Sequence, residues 1–163
     1  VNTLKKLPDG RLFGDNTDGI GLRRDLVINQ GISLEGCRIL LLGAGGAVRG
    51  VIAALLEEHP EALVIANRTP DKAEKLALLF AGSGKVSFSG FDMLSDRFDL
   101  VINGTSAGLS GELPDIREQL LADTVCYDMV YGRGHTAFNR FAESSGARKT
   151  YAGLGMLAER AAD

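Results

Sequence analysis

Only two cysteines, Cys37 and Cys126, occur in the sequence. They are too far apart for a local metal motif and too few for a disulfide framework, and they read as structural thiols of a reducing compartment. The two histidines, His59 and His135, have no cysteine, aspartate or histidine at metal-ligand spacing, so no metal is expected. A Lys/Arg-rich tract is also missing. With Lys+Arg 18 against Asp+Glu 21, a net charge of −3 and a pI near 5.4, there is no basic stripe for a phosphate backbone. Nucleic acid is therefore not an expected partner. The longest apolar stretches, such as Arg38 to Leu42 and Val51 to Leu56, fall far short of the ~20 residues of a membrane helix. The opening residues Val1 to Lys6 do not read as a signal peptide, and a cytoplasmic location is expected. There is no methionine at the start and no cap closing the alanine-rich stretch before Asp163, so both ends read as cut.

What is present suits one globular domain. A chain of 163 residues can bury roughly 70% of the surface its unfolded form exposes, enough for a core without disulfides or metals. Glycine is abundant, 21 residues against an average usage of ~7%, yet it falls in discrete places. Those glycines read as turns and ligand-facing loops.

Val1 to Leu7, the turn residues Pro8, Asp9 and Gly10, and Arg11 to Phe13 predict a hairpin. Asp15 to Asp18 form an N-cap cluster ahead of an amphipathic helix ending near Gly31. Short apolar runs then alternate with helical stretches. Strands are predicted at Arg38 to Leu42, Ala62 to Ala66, Lys85 to Phe88, Phe98 to Ile102, Thr124 to Asp128 and Arg148 to Tyr151. Helices or helical turns are predicted at Ala47 to Glu58, Asp71 to Phe80, near Met93, Ile116 to Leu121 and Thr136 to Ser144. The series predicts an α/β, Rossmann-like doubly wound, mostly parallel sheet, apolar on both sides because helices cover both faces. In such a sheet ligands bind at the carboxyl ends of the strands.

The strongest motif lies at one of those ends: Gly43, Ala44, Gly45, Gly46, Ala47, Val48, Arg49, Gly50 follow a strand and open a helix. Gly43 can make the tight turn, Gly45 and Gly46 let the backbone approach a pyrophosphate, and free N–H groups at the helix start favour an anion. The GxGxxG register is not kept, since Val48 takes the third position and Gly50 follows two residues later. A phosphate-transfer loop is excluded because no GK[ST] ending follows. An acidic residue about 20 positions on would bind the ribose hydroxyls of NAD. Here Asn67, Arg68 and Thr69 stand after the second strand, followed by Lys72. A neutral amide, a hydroxyl, a guanidinium and an ammonium can surround a 2′-phosphate that a carboxylate would repel, so the cofactor indicated is NADP. Alone, Arg68 and Lys72 would read as a solvated face; their spacing from the glycine loop reverses that preference.

Taken in order, Asn2-Thr3-Leu4, Gly14 to Gly19, the Gly43 to Gly50 loop, Asn67-Arg68-Thr69, Asn103 to Ser106, Tyr127 to Tyr131 and Gly153 to Leu157 make the chain similar to the shikimate dehydrogenase family along essentially its whole length. The resemblance implies NADPH-linked, reversible reduction of 3-dehydroshikimate to shikimate in aromatic amino acid biosynthesis, in a cleft between a substrate domain and a Rossmann NADP domain. It implies that Asn2 and Asp18 bind substrate hydroxyls and that Asp18 belongs to a catalytic Lys/Asp pair. It further implies that Gly43 to Ala47 bind the pyrophosphate, Asn67 to Lys72 clamp the 2′-phosphate, Met129 and Gly153 line the nicotinamide site, and Tyr131 contacts substrate. Thr105 belongs to the same implied cofactor set. By this resemblance residues 1–17 are a remnant of the substrate domain, 18–152 the NADP domain and 153–163 the start of a returning helix.

Two departures matter. The family's lysine lies upstream of the residue matched by Asn2 and has no counterpart in this sequence, so the chain alone is expected to bind NADP without efficient turnover. Arg160 stands where the family usually has a substrate-contacting glutamine. A quinate-type dehydrogenase and a non-catalytic nucleotide-binding module stay open as alternatives. Hydride transfer to a ketone needs a proton donor near the developing alkoxide, which an ammonium paired with a carboxylate can supply.

Overall fold

The computed structural model describes residues 3–160 apart from 96 and 133. Strands β1 (Thr3–Lys6) and β2 (Leu12–Asp15) pair antiparallel. Gly10, at φ +87°, makes the turn between them, and the Asp9 carboxylate accepts from the Arg11 backbone N–H and Nε at 3.0 and 2.7 Å. The second strand continues past Phe13 to Asp15, so the N-cap falls on Thr17, whose side chain makes no capping bond. Asn16 Oδ1 takes that part by accepting from the Asp18 N–H at 3.0 Å.

Helix α1 (Asp18–Arg24) runs into one π-helical turn, Asp25–Asn29, where a plain amphipathic helix is predicted. The cause is long-range. Asp25, 1% exposed, accepts from the Tyr127 hydroxyl at 2.6 Å and from the Asn29 and Gln30 side-chain amides at 3.2 Å each.

From there β3 (Arg38–Leu42), α2 (Gly46–Leu56), β4 (Ala62–Asn67), α3 (Pro70–Leu79), β5 (Val86–Gly90), β6 (Leu100–Asn103), β7 (Val125–Asp128), α4 (Ala137–Ser144), β8 (Lys149–Ala152) and α5 (Leu154–Arg160) follow in order. Six strands form one sheet ordered β5-β4-β3-β6-β7-β8, with every pairing parallel. This is the doubly wound arrangement, and the strand order reverses between β3 and β6. The expected span Ile116 to Leu121 holds only a 3-10 turn, Glu118–Leu121.

Alternation along β3 builds the two halves of the core. Ile39 and Leu41 face α1, α2 and Met156 of α5, while Leu40 and Leu42 face Phe91, Phe98, Leu120 and Phe138. Strands apolar on both faces are found in the centre only. At the edges, β5 reads Val-Ser-Phe-Ser-Gly with Phe88 45% exposed, and β8 is only partly buried, because an edge strand has a neighbour on one side only.

Helices α1 and α2 touch through glycines. A Cβ on Gly19 would lie 2.8 Å from the Gly50 carbonyl oxygen and 3.0 Å from Ala54 Cβ, and one on Gly50 would run into the Asn16 side chain. Gly50 therefore serves helix packing and is not a displaced third glycine of the nucleotide loop.

Candidate cofactor site

At the carboxyl ends of the strands, where the order reverses, lies an open cavity of about 580 Å³. Gly43 to Ala47, after β3, form one wall, and Asn67 and Arg68, after β4, stand at another. Gly104 to Ala107 follow β6, Met129 and Val130 follow β7, and Phe91, Ser110 and Glu112 to Asp115 complete the lining.

Gly43 adopts φ +107°, and a Cβ there would lie 3.1 Å from the Gly104 carbonyl oxygen and 3.3 Å from the Thr105 nitrogen. Any other residue would be strained and would push the β6 loop away. Gly45 and Gly46 are exposed, and a Cβ on either meets nothing within 4 Å, so the space above them is open for a ligand. Gly45 is the N-cap of α2, with no side-chain capping bond and no acidic residue in the first turn. The unsatisfied amides of that turn, at the positive end of an eleven-residue helix, form an anion-binding end.

After β4, Asn67 Nδ2 donates to the Thr69 carbonyl at 3.0 Å and fixes the turn that presents Arg68, which is exposed at the cavity. Thr69 and Lys72 are exposed but do not line it, since Pro70 opens α3 and turns the chain aside.

Beneath the floor lies a buried polar group that sequence reasoning did not single out. Asn103 and Asp128 end β6 and β7, pair in register, and are both 0% exposed. Asn103 Nδ2 donates to Asp128 Oδ1 at 3.1 Å, while Asn103 Oδ1 accepts from the Thr105 N–H at 3.2 Å and its hydroxyl at 2.8 Å. Asp128 Oδ1 also accepts from the Val130 N–H at 3.1 Å. Burial pushes the Asp128 carboxyl above its usual range, opposed by the Thr136 hydroxyl, the Val130 N–H and the Asn103 amide. Oδ2 itself has no partner in hydrogen-bond geometry.

Gly104 is equally constrained: a Cβ there would overlap Val48 Cγ2 and come within 3.2 Å of Met129 Sδ. Gly153 sits behind Met129, its missing Cβ only 2.5 Å from the Met129 carbonyl oxygen, and does not itself line the cavity. Of the residues implied in substrate binding, Asp18 is half-buried at the start of α1 and Tyr131 is 51% exposed; neither lines this cavity. Asn2 lies outside the described residues. The structure thus gathers Gly43 to Ala47, Asn67, Arg68, Thr105 and Met129 around one space and leaves Asp18 and Tyr131 outside its lining. Among the described residues no group of three or more His, Cys, Asp or Glu is placed to hold a metal ion, and no helix is long and apolar enough to cross a membrane.

The family described as shikimate / quinate 5-dehydrogenase matches residues 25–112. The shikimate dehydrogenase (NADP(+)) of Alkalilimnicola ehrlichii is 58% identical over 164 residues, covering 100% of this chain and 60% of that protein. Among crystal structures, an Ael1 enzyme from Pseudomonas putida superposes with a TM-score of 0.91 at 43% identity, over 98% of this chain and 59% of its own. The shikimate 5-dehydrogenase of Thermus thermophilus, solved in complex with NADP(H) and shikimate, gives 0.82 at 34% identity, over 98% and 58%. The chain spans about 60% of the length of the curated relatives it matches.

Proposed function

This chain belongs to the shikimate / quinate 5-dehydrogenase family, and from that premise we propose that it is the NADP-binding part of a shikimate dehydrogenase, which reduces 3-dehydroshikimate reversibly to shikimate. The observation that carries the proposal is a single cavity at the strand-order reversal with the α2 N-terminus on one side and Arg68 on another. No carboxylate stands at positions 67 or 68 to hold a ribose 2′-hydroxyl or repel a 2′-phosphate.

The residues present fit a phosphorylated dinucleotide. The free amides at Gly46 to Val48 receive the pyrophosphate, and the bare Cα atoms of Gly45 and Gly46 let it come close. Arg68 pairs with the 2′-phosphate, with Asn67 setting the turn and Thr69 and Lys72 adding field from the start of α3. Thr105 bounds the dinucleotide from the β6 side, and Met129, backed by Gly153, faces the nicotinamide ring. When bound, NADPH supplies the hydride. Asn2 and Asp18 hold the substrate hydroxyls, Tyr131 contacts the substrate, and Asp18 takes part in proton transfer to the new alcohol. Residues 1–17 belong to the substrate side, 18–152 to the NADP domain and 153–163 to the returning helix. The free thiols of Cys37 and Cys126 suit a cytoplasmic setting.

Calorimetric titration with NADPH and NADH tests the proposal. NADPH is expected to bind more tightly, and Arg68→Ala to remove most of the difference, roughly tenfold for one exposed charge-assisted contact. Equal affinities in the unaltered chain would sink it.

A further inference from the structure

We infer that Asp128 and Asn103 are positioning residues, a buried relay running from Asp128 through Asn103 to Thr105 that holds the cavity floor in the form that accepts a dinucleotide. The inference rests on the cofactor reading above. Neither residue lines the cavity; each acts through a neighbour that does.

The strands that carry them are otherwise apolar, Leu-Val-Ile before Asn103 and Val-Cys-Tyr before Asp128. A buried carboxyl beside a buried amide is costly unless its bonds are used, so a purely structural role would be met more simply by two more apolar residues. Besides the bond that joins the pair, its side-chain oxygens take donors from the loops that follow the strands. Asn103 Oδ1 takes both donors of Thr105, and Asp128 Oδ1 takes the Val130 N–H. The Asn103 amide then ties the two turns together across the strand boundary. Between them, Met129 N donates to the Asn103 carbonyl at 2.9 Å and Gly104 N to the Leu42 carbonyl at 2.8 Å. The three loops after β3, β6 and β7 are thereby held at fixed spacing.

The β6 loop packs closely on its neighbours. The Thr105 nitrogen would lie 3.3 Å from a Cβ on Gly43, and Gly104 is wedged between Val48 and Met129. Released from Asn103, the Thr105 hydroxyl loses the acceptor that aims it, and the β6 loop loses its side-chain link to Asp128. The loss is expected in cofactor affinity more than in folding, because the β6–β7 ladder itself stays intact.

The test measures NADPH affinity and thermal midpoint together for the whole chain and its variants N103A, T105V, N103A/T105V, D128A and D128N. N103A and T105V are each expected to weaken NADPH about tenfold, and the double variant to be no more than about twofold weaker than the worse single, because both remove one link. D128N keeps an acceptor oxygen for Asn103 and Val130 and is expected to restore binding lost in D128A to within about threefold of the unaltered chain. Independent contributions predict multiplied losses, about a hundredfold in the double, and a purely structural role predicts a lowered thermal midpoint with NADPH affinity unchanged; either contradicts the relay. Folded N103A and D128A that bind within twofold of the unaltered chain would overturn the inference while leaving the cofactor reading standing. An unaltered chain that does not bind NADPH would overturn both. If D128A does not fold, the Asn103 and Thr105 cycle decides alone.

Discussion

Replacing Tyr127 by phenylalanine deletes a single oxygen and tests what holds the α1 and α5 helices to the sheet. Tyr127 is 0% exposed on β7, and its hydroxyl donates to Asp25 at 2.6 Å across a sequence separation of 102 residues. Burial and the neighbouring Asp25 push the phenol far above its ordinary value, so it remains a donor. A hydrogen bond to a carboxylate contributes about 1.5–3 kcal/mol net. Asp25 keeps the Asn29 and Gln30 amides at 3.2 Å, which places the expected loss near the middle, about 2 kcal/mol. For a domain of this size that is a fall of roughly 4–8 °C in thermal midpoint. Urea unfolding followed by circular dichroism should show a lower midpoint at unchanged slope. The ring stays, so no cavity term is added. Combining Y127F with D25A should give a coupling of about 1–2 kcal/mol, since both remove the same bond. A Y127F variant within about 0.5 kcal/mol of the unaltered chain refutes the view that this pair fastens the helices.

Gly104→Ala should destabilise by about 1–3 kcal/mol and weaken NADPH, because the added methyl overlaps Val48 and crowds Met129; calorimetry of unfolding and binding checks both. Stability should also fall in alkali through Cys126, whose thiol burial pushes up from 9.0 to about 11. The unfolded thiol ionises first, so the contribution is intact below about pH 9 and is lost as pH rises toward 11, up to roughly 2–3 kcal/mol. Cys126→Ala should reduce the slope of stability between about pH 9 and 10, leaving the part that comes from Tyr127 and Cys37, which burial also raises. An unchanged slope contradicts the assignment.

The central strands were legible because their signal is local. Arg38 to Leu42 is a strand over those same residues, and Ala62 to Ala66 extends by one residue to Asn67. The edge strand is displaced from the expected Lys85 to Phe88 to Val86–Gly90, because register with β4, ending at Asn67 opposite Gly90, decides its length and hydrophobicity does not. The π turn at Asp25 was invisible for the same kind of reason: it answers to Tyr127, far along the chain. The glycine loop and Arg68 could be placed from spacing alone, since strand, turn and helix start are contiguous in sequence. Gly50 and Gly19 could not be assigned to packing, because only the crossing of α1 and α2 reveals it. The Asn103–Asp128 pair is 25 residues apart and meets only through the parallel register of β6 and β7. Its available signal was a polar residue closing each of two apolar strands, Leu-Val-Ile-Asn and Val-Cys-Tyr-Asp.

The most direct measurement of the central claim is a backbone-amide NMR titration of this chain with NADPH. Saturable shifts are predicted at Gly43 to Val48, Arg68, Thr105 and Met129, around one cavity. None is predicted at Arg97 to Asp99 or Asp123, which line a separate pocket. Shifts confined to that second pocket, or no saturable shift at the α2 N-terminus, would contradict the account.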